Sequence, residues 1–269
     1  MSIRHYQPRR SGVASAGRNR LLLTLLGGAI ALQIFYPLTH GRALTAITIA
    51  TVIVGATAML FHSLIAYGMR YLLSYLIITF LFASGIEELG LHTGWPFGQY
   101  SYSHSLGLHI WGMPLLVPFA WIMLAHPVLV AARRFCTFWV FLFGGLGLMA
   151  WDLFLDPQMV DAGRWSWKSA SPHVPFQPEI PLSNSFGWLL AGIGLIALLN
   201  LILPKSRLKL GVSSQAVDIF IGWTLFSGVV GNLFFFHRPG IAFFAGLIFA
   251  AIFIPYFLSD ALGRPDSAA

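Results

Sequence analysis

Only nine acidic residues occur in this chain, and five of them, Glu87, Glu88, Asp152, Asp156 and Asp161, fall at or just beyond the ends of two long apolar stretches. Holding a carboxyl in hydrocarbon costs on the order of a few kcal/mol or more, so such a group normally faces a cavity or a partner and marks a functional position. Asp152 and Asp156 are four positions apart, which on a helix places them on one face, about 6 Å apart along the axis. Two carboxyls that close in a medium of low dielectric cannot both ionise readily, so a proton is retained between them near neutral pH. That is the requirement for a general acid.

The neighbours of each carboxyl sharpen this reading. Trp151, Leu153, Phe154 and Leu155 surround Asp152 with apolar groups, which points to function. Asp156 precedes Pro157, so its two readings, chemistry and simple helix termination, stay open. Asp161 lies beyond the proline and is expected to form an ordinary surface pair with Arg164 or Lys168. Glu87 and Glu88 are adjacent, their side chains diverging by about 100° around a helix, so one of the two faces inward and periodicity does not say which.

The elements that must position these groups are apolar helices. The chain has 269 residues, 57% hydrophobic and 9% charged, with a mean hydropathy of +0.75, a balance suited to lipid rather than to a water-soluble domain. Apolar runs extend approximately over Leu21 to Leu38, Ala43 to Ala66, Tyr71 to Leu89, Ile110 to Ala132, Phe135 to Leu155, Ser185 to Leu203, Ala216 to Phe236 and Ile241 to Leu258. Each is close to the roughly 20 residues that cross a hydrocarbon core as a helix. Lipid offers backbone amides no other partner, and barrel strands would show short alternating segments instead. The expected fold is all-α, a polytopic membrane bundle of about eight transmembrane helices with two longer outer-side loops. Its parts are a basic cytoplasmic N-terminal tail over 1–20, a single transmembrane domain over 21–258 and a flexible C-terminal tail over 259–269. The first run follows Arg9, Arg10, Arg18 and Arg20 but no small-x-small cleavage site comes after it, so it is read as a retained helix.

Charge gives the orientation. With eight spans, four of the 16 basic residues, Arg42, Arg164, Lys168 and Arg238, lie on one side and the other twelve on the opposite side. The positive-inside rule then places both termini in the cytoplasm, here of a bacterial cytoplasmic membrane. The net charge of +7 is explained by this asymmetry, and no basic stripe suggests nucleic acid. The two long outer loops, His92 to His109 and Pro157 to Asn184, show a weak internal repeat: Pro114-Leu115, Phe119 and Trp121 recur 67 positions later as Pro181-Leu182, Phe186 and Trp188. If the two units are copies, they face one cavity.

The same loops supply Trp95, Phe97, Tyr100, Tyr102, Trp165 and Trp167, whose π faces suit a cation or a polyene, although an interfacial aromatic belt accounts for each one taken singly. Gly94, Gly98 and Gly163 fit tight turns, and Asn184 is placed to cap the sixth span. Among nine histidines only His104 and His109 are near one another, while His62, His126 and His237 stand alone, so no metal site is expected. The single Cys136 precludes an intramolecular disulfide, and no phosphate loop, nucleophile elbow or dinucleotide fingerprint is present.

Three stretches carry a resemblance. They are Glu87-Glu-Leu-Gly-Leu-His-Thr-Gly-Trp-Pro-Phe-Gly-Gln-Tyr-Ser-Tyr102, then Gly112-Met-Pro-Leu-Leu-Val-Pro-Phe-Ala-Trp121, then Trp151-Asp-Leu-Phe-Leu-Asp-Pro157 with Gly163-Arg-Trp-Ser-Trp167 and Ile180-Pro-Leu-Ser-Asn184. In this order they resemble the carotenoid hydratase family, also called the bisanhydrobacterioruberin hydratase family, across the central half of the chain. The resemblance implies a carotenoid-biosynthetic enzyme that adds water across the terminal isopropylidene double bond of an acyclic carotenoid, giving a tertiary alcohol. It implies as partners that lipophilic carotenoid, water, membrane lipid and other carotenoid-pathway enzymes, with no cofactor. For that reaction Asp152 or Asp156 suits the proton donor, Glu87 or Glu88 the placing of water or recovery of the proton, and Trp95, Tyr100 and Trp165, with Phe97, Tyr102, Trp167 and Asn184, the substrate-binding wall.

Two other readings share these residues. A membrane lycopene-type cyclase starts with the same alkene protonation but lets an internal double bond capture the cation. A carotenoid-binding or transport protein without chemistry would fit the repeat and the Gly144-Gly145 and Gly228 to Gly231 stretches. The orientation is directly testable: in a Cys136→Ser chain, a Trp95→Cys thiol is expected to react with a membrane-impermeant maleimide added outside intact cells, and labelling only after lysis would reverse the topology.

Overall fold

A computed structural model describes residues 16–205, 212 and 215–261 of the protein. Among these residues eight helices are long and apolar enough to cross a membrane. They are α1 (Ala16–Phe35), α2 (Gly41–Tyr67), α3 (Met69–Thr93), α4 (Leu116–Phe135), α5 (Val140–Asp161), α6 (Leu182–Ile202), α7 (Gln215–Val230) and α8 (Pro239–Ala261). A 3₁₀ turn, Tyr36–Leu38, extends α1, and α7 continues as a π-helix over Gly231–Phe235. The all-α membrane bundle is therefore observed, with one helix for each apolar run. The first helix starts at Ala16, before the apolar run proper, so Arg18 and Arg20 lie in its first turns rather than in a tail. The tail basic residues before position 16, together with Arg207, Lys209, Arg264 and the C-terminal stretch past 261, lie outside the described residues.

α4 and α5 are the most buried helices and α1 the most peripheral. With no hydrophobic drive between helices in lipid, close packing needs small residues at the contact. Gly145 supplies this between α5 and α6: a Cβ there would stand 2.5 Å from Ile193 Cγ1 and 2.8 Å from the Ile193 amide nitrogen. Gly192 faces it from α6, where a Cβ would be 3.0 Å from the Gly145 Cα.

The two long loops carry short strands: β1 (Tyr100–Tyr102), β2 (His109–Ile110), β3 (Met113–Pro114), β4 (Trp165–Trp167), β5 (His173–Val174) and β6 (Gln177–Pro181). β2–β3 and β5–β6 are local hairpins, whereas β1 and β4 pair antiparallel across the two loops. Tyr100 pairs with Trp167, 67 positions on, and Ser101 with Ser166 and Tyr102 with Trp165 follow from it. Antiparallel pairing of equivalent strands is what a twofold relation between two units displaced by 67 residues produces, and here Tyr100 meets its own equivalent. The equivalent tryptophans Trp121 and Trp188 also meet, stacked at 4.4 Å and 8°. Both observations agree with the repeat seen in the sequence.

Helix α5 does not end at Asp156. Pro157 lies inside it and the helix runs on to Asp161. A proline lacks the N–H that would bond the carbonyl four residues back, here that of Leu153. The buried Gln177 of β6 takes that place, its Nε2 donating to Leu153 O at 3.0 Å. Gln177→Leu is expected to leave this buried carbonyl unpaired and to cost about 1–3 kcal/mol. Thermal unfolding in detergent measures the loss, and adding Pro157→Ala, which returns a helical N–H to Leu153, is expected to recover most of it.

Candidate active site

Helices α3 and α5 end on the same side of the bundle, and the β1–β4 ribbon lies across their ends. Strand alternation gives the ribbon two faces. Ser101 and Ser166 are exposed, and Tyr100, Tyr102, Trp165 and Trp167 point inward to line one cavity of about 490 Å³. Their rings pair across the strands, Tyr100 with Trp167 at 6.2 Å and Tyr102 with Trp165 at 5.6 Å.

Each strand of the ribbon serves one acidic group. Glu87 is buried and lines the cavity. Its Oε2 accepts from the hydroxyls of Tyr100 at 2.7 Å and Tyr102 at 2.8 Å, and its Oε1 from Trp121 Nε1 at 3.4 Å. Gly90, one turn on, makes room for this, since a Cβ there would stand 2.8 Å from the Tyr100 hydroxyl. Burial first, and then the adjacent Glu87 carboxyl, push both phenols well above the usual tyrosine range, so they remain neutral donors. Glu88 points elsewhere and pairs with His92 at 3.3 Å near the surface. The choice between the two glutamates thus falls on Glu87.

Asp152 and Asp156 are both buried, lie on one face of α5 as their four-residue spacing predicts, and share one partner. The Asn184 amide nitrogen donates to Asp152 Oδ2 at 3.0 Å and also to Asp156 Oδ2. Trp165 Nε1 of β4 donates to Asp156 Oδ1 at 3.1 Å. Among the described residues the buried Asp152 Oδ1 has no hydrogen-bond partner. Asn184 is therefore not a helix cap. α6 begins directly after Pro181, without a side-chain cap, and Asn184 lies one turn inside it.

Around these carboxyls the cavity wall is aromatic. Trp121, Trp151, Trp188, Phe97 and Phe154 line it with the ribbon's four rings, while Trp167 Nε1 donates to Phe97 O at 3.0 Å and holds that loop in place. Trp95 does not join them: it is 58% exposed and faces away. Gly94, Gly98 and Gly163 all have positive φ, as tight turns require. Asp161 pairs with Arg238 rather than with Arg164 or Lys168, and Arg238 also lies 3.6 Å from Glu179. The buried Arg164 instead donates from Nη2 to Thr45 at 2.8 Å.

A model of the family described as carotenoid biosynthesis protein matches residues 23–253. The chain belongs to that family. The chain is also 30% identical over 169 residues to the bisanhydrobacterioruberin hydratase of Haloarcula japonica, a match covering 60% of this chain and 56% of that protein. The match thus spans little more than half of that curated relative's length. No solved structure matches.

Two further pairings escape sequence reading. Gln177 carries no pattern that ties it to Leu153. His62 and His126, read as solitary, are buried and joined, Nδ1 to Nε2 at 2.8 Å, at a separation of 64 residues. Among the described residues no group of three or more His, Cys, Asp or Glu is arranged to hold a metal ion. Asn184→Leu is expected to cost about 1–3 kcal/mol in thermal unfolding, because two buried carboxyls lose their common donor. Adding Asp152→Asn, which brings an amide back beside Asp156, is expected to recover part of that loss.

Proposed function

We infer that this carotenoid biosynthesis protein hydrates the terminal double bond of an acyclic carotenoid by acid catalysis. The observation that carries the reading is Asp156, which lines an apolar, aromatic-walled cavity and shares the Asn184 amide with the buried Asp152 one turn back on the same helix. A pair so close retains a proton between its members. In the proposed reaction that proton passes to the less substituted carbon of the terminal isopropylidene group, using the alkene electron pair and leaving a tertiary cation on the dimethyl carbon. A water oxygen then bonds to that carbon and loses one proton to a carboxylate, which restores the pair. The net change is one water added, with no electrons gained or lost.

The surrounding groups suit the two charged stages. The faces of Trp121, Trp151, Trp165 and Trp188 can stabilise the cation, which water in bulk would intercept without control. Glu87, which accepts from the hydroxyls of Tyr100 and Tyr102, adds a second polar group to the same cavity, where an incoming water can be held. The hydratase named in Haloarcula japonica supports water, rather than an internal double bond, as the group that captures the cation. On the positive-inside reading the site would lie near the outer headgroups of a cytoplasmic membrane, where the enzymes that make its substrate and consume its product would share the bilayer.

The chain is to be expressed in a host that accumulates lycopene, with pigments separated by chromatography and weighed by mass spectrometry. The expected outcome is a pigment heavier by one water for each reacted end. Asp152→Asn, Asp156→Asn and Glu87→Gln are each expected to reduce its formation by about a hundredfold or more at equal expression. Glu88→Gln is expected to leave it close to the parent level. A new pigment of unchanged mass would replace hydration by cyclisation, and retention of activity in the two aspartate variants would remove the proposed acid.

A further inference from the structure

The cavity has a second end, away from the carboxyls. Three residues that line it, Ile34 on α1 and Phe226 and Phe235 on the α7 segment, are also 51%, 57% and 46% exposed on the outside of the bundle. A side chain that is cavity wall and outer surface at once marks an opening. Two contacts frame it. Gln33 Oε1 accepts from Trp223 Nε1 at 2.5 Å, and the rings of Tyr36 and Phe236 meet edge to face at 6.1 Å.

The frame is unequal. Gln33 and Tyr36 are three positions apart, roughly 5 Å of helix, whereas Trp223 and Phe236 are thirteen apart, roughly 20 Å. The two segments therefore touch at both ends and part between them, with Phe226 and Phe235 along the longer edge. In this same stretch α7 leaves α geometry for the π-helix Gly231–Phe235, a distortion that recurs at functional sites.

Chemistry says what fits such an opening. The exposed groups on its edge are hydrocarbon, and the Gln33 oxygen at its border is already occupied by Trp223, so the opening favours an apolar chain over water. A cavity of about 490 Å³ accommodates one end of a long polyene, and the rest of the molecule has to leave by an apolar route. We propose that the gap between α1 and α7 is a lateral portal through which the polyene enters from the lipid and in which its unreacted length lies while the end is processed. This rests on the carotenoid reading given above. A symmetrical polyene is then handled one end at a time, with withdrawal through the portal between the two reactions.

Single cysteines at Ile34→Cys, Phe226→Cys and Phe234→Cys, each in a Cys136→Ser chain, separate this proposal from that reading. Phe234 is 68% exposed on the same segment and does not line the cavity, so it serves as control. Each protein is reconstituted in vesicles and its thiol is capped with either a methyl or an anthracenylmethyl methanethiosulfonate. Lycopene is added to the vesicles, the protein is repurified, and bound pigment is read by visible absorption while converted pigment is read by mass. The bulky cap at Ile34→Cys or Phe226→Cys is expected to lower bound lycopene about tenfold relative to the methyl cap, reversibly on reduction, with little change at Phe234→Cys. Equal uptake with both caps at the two portal positions, or an equal loss at Phe234→Cys, overturns the portal alone. Cap-sensitive uptake without a gain of water leaves the portal standing and removes hydration, and uncapped protein that takes up no lycopene removes both.

Discussion

Burying carboxyl groups inside a bundle made for hydrocarbon is the constraint around which the rest of this protein is arranged. An unpaired carboxylate there is costly, so each one must be met by donors that the local helix does not provide. Glu87 obtains three, two from β1 and one from α4. Asp156 obtains one from β4 and shares another, on α6, with Asp152. The loops are long because they have to fold back over the helix ends and present tyrosine and tryptophan hydroxyls and N–H groups to acids below them. Pairing β1 with β4 satisfies the strand backbones at the same time and locks both sets of donors into one ribbon.

Helix α5 is held to the same end. It has to carry Asp152 and Asp156 on one face and continue past Pro157 without losing that register. The carbonyl released by the proline is taken up by Gln177, so the second loop both covers the acids and repairs the helix that bears them. Gly145 and Gly192 then bring α5 and α6 close enough for Asn184 to reach both carboxyls. A Cβ at either glycine would meet the facing helix at 3.0 Å or less.

The cavity thus combines a few well-held polar groups with a predominantly apolar lining. Such a combination suits a substrate that is almost all hydrocarbon and reacts only at its tip. In the proposed function the apolar length would supply binding and the aromatic walls orientation, leaving the acids to act on the one bond that reaches them. In the proposed reaction the cation would meet π faces rather than bulk water.

Composition and hydrophobic run length by themselves determined that the chain is a membrane bundle of eight helices, because lipid leaves the backbone no other solution and each run matches the bilayer. The four-residue spacing of Asp152 and Asp156 likewise determined that they share a face, and motif order was enough to suggest the family. Tertiary structure decided what depends on partners far along the chain. It selected Glu87 over its neighbour Glu88, since the direction of the core is set by other helices and not by periodicity within α3. It turned Asn184 from a cap into the common donor of two acids, excluded Trp95 from the wall that Phe97 joins, and joined His62 to His126. Helical periodicity gives angles only relative to a helix's own axis, and contacts such as these are fixed when several axes are packed at once.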